Sequence, residues 1–159
     1  MGFSNPRRKN QRGFTLVELI VSFTILLVLS TMAVPLARYK LRRDREVALR
    51  NALVEMRRAI DKYKDDADAG KLGQTKIDTY GYPESLDVLV DGVKMAGSVD
   101  TKKRYLRRIP LDPFTNSREW GKRSMQDDPT STSWGGQNLF DVYTTSTEKA
   151  PDGTAYSEW

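Results

Sequence analysis

The sequence contains no cysteine and no histidine. Without cysteine, the chain has no disulfide framework, no thiolate metal site and no cysteine nucleophile. Without histidine, it lacks the commonest general base, the usual zinc ligand and the standard partner of a catalytic serine. An enzyme built on Asp, Glu, Lys or Tyr remains conceivable, but the usual catalytic side chains are missing.

Acidic residues are also absent from the first thirteen positions, which contain four basic ones, Arg7, Arg8, Lys9 and Arg12. The 159 residues, enough for one domain and an anchor, carry a formal charge of +5. Without those thirteen positions, the chain would have 22 basic and 21 acidic residues. A nearly neutral remainder does not support a strong polyanion-binding face.

Lysine, arginine and aspartate are missing from residues 14–37, and Glu18 is the single acid there. A hydrocarbon core of about 30 Å needs roughly 20 helical residues, so this segment is long enough to span a membrane. The basic residues before it favour a cytoplasmic N-terminus, which places the polar bulk outside. Two simpler interpretations are an uncleaved anchor and an ordinary secretory signal, although the best small-residue cleavage region puts Pro35 close behind any cut.

The order of parts around Gly13 is more specific than any one of them. The basic leader ends at Gly13, the apolar helix begins at once with Phe14, and Glu18 is the fifth residue after that point. This order resembles the prepilin peptidase site of type IV pilins and type II secretion pseudopilins. The resemblance implies cleavage between Gly13 and Phe14, N-methylation of Phe14, and a helix-breaking proline, for which Pro35 stands at the usual place. The chain departs from many members in having Leu27 where they have a glycine.

Glu18, together with Phe14 and Pro35, forms the candidate assembly site. A carboxylate inside an apolar helix is costly to leave unpaired in lipid. Cleavage would create an amine on Phe14, and the amine of a neighbouring subunit, staggered along a filament, would neutralise Glu18 and set the register. The alternative is a Glu18 side chain that reaches the lipid headgroups. Gly13, which has no Cβ, would let the protease approach the backbone closely.

The pattern after the membrane segment predicts a continuing helix. Apolar residues recur at spacings of three and four from Leu41 to Tyr63. We therefore expect one long helix from Phe14 to about Asp66, with Gly70 as its C-terminal cap. The second half of this helix should pack its apolar stripe on a small sheet.

The rest of the chain predicts short elements. A second helix should follow Pro83 and end near Gly92. Prolines prevent a regular central strand over residues 105–114 and mark an extended loop. Residues 120–125 and 139–144 are predicted to form a hairpin-like pair of strands. The expected fold class is α+β.

Three of these segments resemble one subgroup of the pilin-like proteins. The helix around Pro83, the loop of residues 105–114 and the segment 140–143 look like the major pseudopilin of type II secretion systems. The resemblance implies a type IV pilin-like fold, in which a long N-terminal helix, its first half transmembrane, packs on a small antiparallel sheet with a C-terminal loop. It is weakest over residues 71–79 and 122–136.

The resemblance also implies how the chain is divided and what it meets. Residues 1–13 would be a cleaved leader, residues 14–37 the transmembrane and filament-core helix, and residues 38–159 a periplasmic head. The implied partners are copies of the same chain, a prepilin peptidase, an inner-membrane assembly platform and minor pseudopilins, and no nucleic acid is expected. The protein would cross the inner membrane once before assembly and lie in a periplasmic filament afterwards.

A calcium site is a further implication of the resemblance, since major pseudopilins typically hold the loop after the last strand with one calcium ion. Calcium takes about six to eight oxygen ligands from carboxylates and carbonyls. Asp152 is the first candidate ligand and Glu148 the second, although this run is less acidic and less rich in glycine than in that family. The alternative is a tail held by packing of Tyr156 and Trp159, with Asp152-Gly153 as a simple turn.

The resulting interpretation is a structural, non-enzymatic subunit of a type II secretion pseudopilus that drives protein export. A type IV pilin of a surface or DNA-uptake pilus is the alternative within this architecture, and DNA uptake would use the basic run at residues 102–105. From a different class, a single-pass membrane enzyme would need a pair of carboxylates in its external domain. The candidates for that pair are Asp112, Asp127, Asp128 and Asp141, and nothing in their spacing requires it.

Overall fold

The computed structural model describes residues 15–73, 76–97 and 101–159. Gly13 and Phe14, the predicted processing residues, lie outside this part of the chain. The chain divides into two compact units, the first ending at Arg42 and the second running from Arg43 to Trp159. Each unit contains part of one long helix, α1.

Helix α1 runs from Leu16 to Asp68, two residues past its predicted end. Thr15 caps its start, because its hydroxyl accepts the Glu18 N–H at 3.3 Å and its carbonyl accepts the Leu19 N–H at 3.1 Å. One 18-residue window of α1 is long and apolar enough to cross a membrane, and none of it is buried. The long apolar N-terminal helix is therefore confirmed.

Within the second unit, α1 contributes a buried apolar stripe. Its members recur at three- and four-residue spacing and are Leu49, Leu53, Met56, Ile60 and Tyr63. They share one core with later residues, including Leu89, Leu106, Leu139 and Val142. Burial stabilises such a stripe by about 25 cal/mol for each Å² of apolar surface removed from water. This core joins the second half of α1 to the rest of the unit.

Gly70 ends α1 as the sequence predicts. Its φ of +65° is a conformation that glycine adopts without a steric penalty. The Gly70 N–H donates to the Ala67 carbonyl at 3.0 Å, and the Lys71 N–H donates to the Asp66 carbonyl at 2.9 Å. These bonds satisfy carbonyls that the last turn of a helix leaves open.

The second helix, α2, covers Leu86–Asp91 and ends at Gly92, which has φ +83°. It leads directly into a small hairpin, in which β1, Val93–Lys94, pairs antiparallel with β2, Lys102–Lys103. The helix and its glycine cap confirm the prediction. The sequence does not predict the hairpin, because strands of two residues are too short to show an alternating pattern.

The predicted strand pair near the end of the chain is present. Strand β3, Gly121–Arg123, pairs antiparallel with β4, Asp141–Tyr143, and Gly121 lies opposite Tyr143. The Phe140 N–H extends the ladder by donating to the Arg123 carbonyl at 2.9 Å. Both strands are shorter than predicted, and the two-stranded sheets complete the α+β, pilin-like arrangement.

Candidate functional site

Glu18 lies in the first turn of α1, where the helix dipole favours a negative charge. Its side chain is exposed. Among the residues that the structure describes, none donates a hydrogen bond to this carboxylate or forms an ion pair with it. The start of the apolar helix therefore carries an acid that has no partner in the described part of the chain.

Three hydroxyls of the same helical segment are satisfied differently. Ser22, Thr24 and Thr31 each donate to a backbone carbonyl three or four positions earlier, at 2.7 to 2.8 Å. Bonds of this kind let a hydroxyl lie in hydrocarbon without an unsatisfied donor. Glu18 has no equivalent bond, because a carboxylate is an acceptor and helical carbonyls have nothing to donate.

Pro35 lies inside α1, as predicted from the sequence. Proline has no N–H, so the carbonyl of Thr31 lacks its usual helical donor at this position. The helix nevertheless continues through Pro35 to Asp68. Loosening of the helix at Pro35 during assembly stays a prediction.

Glu148 and Asp152, the predicted calcium ligands, lie in one loop after β4. The Asp152 Oδ1 atom accepts the Thr154 N–H at 2.9 Å and the Thr154 hydroxyl at 2.6 Å. These two bonds, with a smaller contribution from the Arg50 cation, hold the pKa of Asp152 below its ordinary value. Gly153 follows with φ +91°, so the loop contains the simple Asp-Gly turn that the sequence analysis gave as the alternative.

A calcium site needs about six to eight converging oxygen atoms. The carbonyls of Glu148, Ala150 and Thr154 each accept an amide of the same loop, at 2.8 to 3.2 Å. In the described part of the chain, no group of three or more acidic side chains is placed to hold a metal ion. Calcium binding by Asp152 and Glu148 stays a prediction.

Asp112, one acid of the enzyme alternative, is a structural residue in the proline-rich loop. Its side chain is fully buried, and it accepts the Phe114 N–H at 2.8 Å and the hydroxyl of Thr144. The Trp120 indole donates to the Pro110 carbonyl at 3.0 Å and holds the same loop at a second point. An aspartate before proline is a turn signal in the sequence, but nothing local indicates its contact with Thr144.

The other three acids of that alternative also have structural partners. Asp127 accepts the Ser124 N–H at 2.7 Å, and Asp128 accepts an amide of its own turn at 2.9 Å. Asp141 pairs with Arg57, whose Nε atom lies 2.6 Å from Oδ1. Each of the four acids therefore has a structural hydrogen bond or ion pair within the fold.

Two side chains of the basic run at residues 102–105 bind a buried acid. Asp66, at the end of α1, is only 6% exposed. It binds the Lys103 ammonium group and accepts the Tyr105 hydroxyl at 2.8 Å. Lys102 and Arg104 remain exposed. Two of the four residues that a DNA-binding patch would use are therefore engaged inside the protein.

Comparison with known proteins defines the class of this chain. A family model described as the prokaryotic N-terminal methylation motif matches residues 8–34, which include Gly13, Phe14 and Glu18. Together with the long apolar helix and the small antiparallel sheets, this match defines a pilin-like subunit. No solved structure matches the chain.

Sequence identity to known relatives assigns the chain to a smaller group of pilin-like proteins. The chain is 31% identical over 112 residues to "Type II secretion system core protein G" of Escherichia coli (strain K12), which covers 67% of this chain and 68% of that protein. It is 34% identical over 116 residues to the protein of the same name from Klebsiella pneumoniae, and this match covers 67% of this chain and 71% of that protein. It is 26% identical over 121 residues to the protein of the same name from Pseudomonas aeruginosa, and this match covers 72% of this chain and 75% of that protein.

The chain belongs to the type II secretion system core protein G family, the major pseudopilins. Its role is structural and not enzymatic, in agreement with the missing catalytic side chains. The exposed apolar helix at its N-terminus is consistent with anchoring in the inner membrane.

Proposed function

We propose that a prepilin peptidase cleaves this chain between Gly13 and Phe14, and that the Phe14 amine is then methylated. Before assembly, the apolar helix holds the protein in the inner membrane, with a cytoplasmic N-terminus and a periplasmic head. An assembly platform then adds copies, together with minor pseudopilins, to a periplasmic filament that drives protein export. The family membership and the methylation motif over residues 8–34 support this proposal.

The observation that carries the assembly step is that the Glu18 carboxylate has no partner among the residues that the structure describes. A charge inside an apolar helix is costly unless an opposite charge meets it. The hydroxyls nearby are satisfied by their own helix, and Glu18 has no partner among the described residues, which supports a partner outside that part of the chain. The new amine of Phe14 on a neighbouring copy supplies a cation at the matching depth, and the pairing fixes the stagger between copies.

Mass spectrometry of the membrane-bound protein tests the processing step. The chain is produced with and without an active prepilin peptidase, and the N-terminal peptide is sequenced in both samples. We expect an N-methylated Phe14 terminus only where the peptidase is active. A mature terminus at any other residue, or an uncut leader beside an active peptidase, contradicts the proposal.

Electron microscopy tests the assembly step. Cells that overproduce the chain with the complete secretion system should form filaments that contain it. A strain without the peptidase is the matched control and should form none. The absence of filaments in both strains, with the mature protein present in the first, overturns the proposed assembly step.

A further inference from the structure

The last residues of the described chain pack on a row of aromatic rings. Tyr156 is fully buried, and its ring centroid lies 4.1 Å from that of Phe114 and 4.9 Å from that of Trp159. We name residues 154–159 the tail segment. Aromatic contacts at these distances are favourable beyond the apolar area they bury. They set the position of the tail segment but leave its backbone oxygens to be satisfied.

Loop amides bind the oxygens of Thr154, Ala155 and Tyr156, and arginine side chains bind two more. The Arg57 Nη2 atom donates to the Trp159 main-chain oxygen at 2.8 Å, while its Nε atom donates to Asp141 Oδ1 at 2.6 Å. The Arg123 Nη2 atom donates to the Ser157 carbonyl at 3.4 Å. One guanidinium from α1 and one from β3 therefore reach the same tail segment, and a hydrogen bond from a cation is stronger than one between neutral groups.

A third arginine covers the outside of the tail segment. The Arg50 guanidinium carbon lies 4.2 Å from the centroid of the Trp159 ring, a cation–π geometry. Arg50 also lies near enough to Asp152 to contribute to that group's lowered pKa. On the same helix, Glu46 accepts the Tyr156 hydroxyl at 2.7 Å. Three side chains of α1, those of Glu46, Arg50 and Arg57, thus contact the tail segment.

We propose that Arg50, Arg57 and Arg123 hold the tail segment in the way a bound cation would, so that this part of the head folds without calcium. Arg57 and Arg123 donate to the main-chain oxygens of Trp159 and Ser157, and the Arg50 cation acts on Asp152, the first candidate calcium ligand. The loop carbonyls already accept internal amides, and Asp152 already binds Thr154. Protein groups therefore balance the negative charge of Asp152 and hold the loop closed, as a metal ion would do.

Hydrogen exchange of the tail amides, measured on the full chain in detergent, tests the proposal. The amides of Tyr156, Glu158 and Trp159 are hydrogen-bonded within the loop and report its opening. We expect the wild-type exchange rates to agree within about twofold in excess calcium and in excess EDTA. Protection that is present in calcium and lost in EDTA overturns the proposal.

Arginine variants test the contacts themselves. We expect Arg57→Met to raise tail exchange by about tenfold or more, equivalent to about 1.4 kcal/mol. Arg58→Met, an exposed arginine one position along the same helix, is the matched control and should leave the rates unchanged. Unchanged rates in Arg57→Met contradict the proposal. If that variant does not fold, Arg50→Met is measured in its place. It removes the cation over Trp159 and near Asp152, and it should also raise tail exchange. Unchanged rates in Arg50→Met would then contradict the proposal.

Discussion

Tyr105 donates its hydroxyl to Asp66 across 2.8 Å, and this bond ties the residue two positions after β2 to the end of α1. Lys103 reaches the same carboxylate from β2. The bonds from Lys103 and Tyr105 hold the pKa of Asp66 below its ordinary value. Burial, and after it the bond to Asp66, raises the pKa of Tyr105. The unpredicted hairpin is therefore docked on the helix through one acid.

Asp66→Asn is expected to lower the free energy of unfolding at pH 7 by about 2 kcal/mol, because it weakens bonds to a charged group. The folded-state pKa of Asp66 lies below the unfolded value of about 3.9. The stabilisation is therefore complete above the unfolded pKa and is lost as the pH falls through the folded pKa. Urea unfolding at several pH values measures this difference.

The exposed neighbour Asp65 gives the matched control for that experiment. Asp65→Asn should change the stability little at any pH, since surface substitutions away from specific contacts have small effects. The difference in the free energy of unfolding between the wild type and Asp66→Asn should become steadily smaller as the pH falls. A gap of equal size at pH 7 and below the folded pKa would show that the charge of Asp66 contributes nothing.

A second prediction concerns the bond between Thr144 and Asp112. Thr144→Val keeps the side-chain shape but removes the hydroxyl that donates to the buried carboxylate. We expect a loss of about 2 kcal/mol in the free energy of unfolding, as is typical for a hydrogen bond to a charged group. Chemical denaturation measures it, and the exposed Thr145→Val is the control. Equal losses in the two variants would contradict the structural role of Asp112.

A third prediction concerns the close approach of β3 to β4. A Cβ added at Gly121 would lie 2.3 Å from the ring of Tyr143. That ring has little freedom, because its hydroxyl donates to the Thr132 carbonyl at 3.1 Å and the Arg123 guanidinium carbon lies 4.1 Å from its centroid. Gly121→Ala should therefore cost about 2 to 3 kcal/mol through overpacking. Thermal unfolding measures the loss.

Gly73→Ala is the control for the Gly121 variant. Its added Cβ would meet only the Lys94 carbonyl, at an ordinary contact distance of 3.4 Å. This variant should unfold close to the wild-type temperature. If Gly121→Ala is as stable as Gly73→Ala, the ring of Tyr143 moves aside at no cost and the packing argument is wrong.

Local patterns predict the two helices and the β3–β4 pair, but they miss the β1–β2 hairpin and the long-range polar contacts. The three- and four-residue spacing of apolar side chains predicts α1 to within two residues of its end at Asp68. Gly70 and Gly92 mark the helix ends because each takes a positive φ. The contact between Asp66 and Tyr105 joins residues 39 apart, and no nearby pattern indicates it.

The candidate assembly site could be predicted from composition because one acid interrupts a long apolar segment. The arginines around the tail segment could not, since a helix with charges on its outer faces has the same pattern whether or not those charges meet a partner. Arg57 and Arg58 are adjacent and alike in sequence. Only the fold brings the first of them to Asp141 and Trp159.

The last prediction concerns Glu18, whose carboxylate the described structure leaves without a partner. Glu18→Leu removes the charge that, under the proposed function, meets the Phe14 amine of the next copy. We expect filaments to fall by about tenfold or more by electron microscopy, because an amine left unpaired in the core costs more than 1.4 kcal/mol. Processing at Gly13 should continue, which separates assembly from cleavage. Ser22→Ala, one turn further along, is the control and should assemble normally. Wild-type filament numbers in Glu18→Leu would show that another contact organises the polymer.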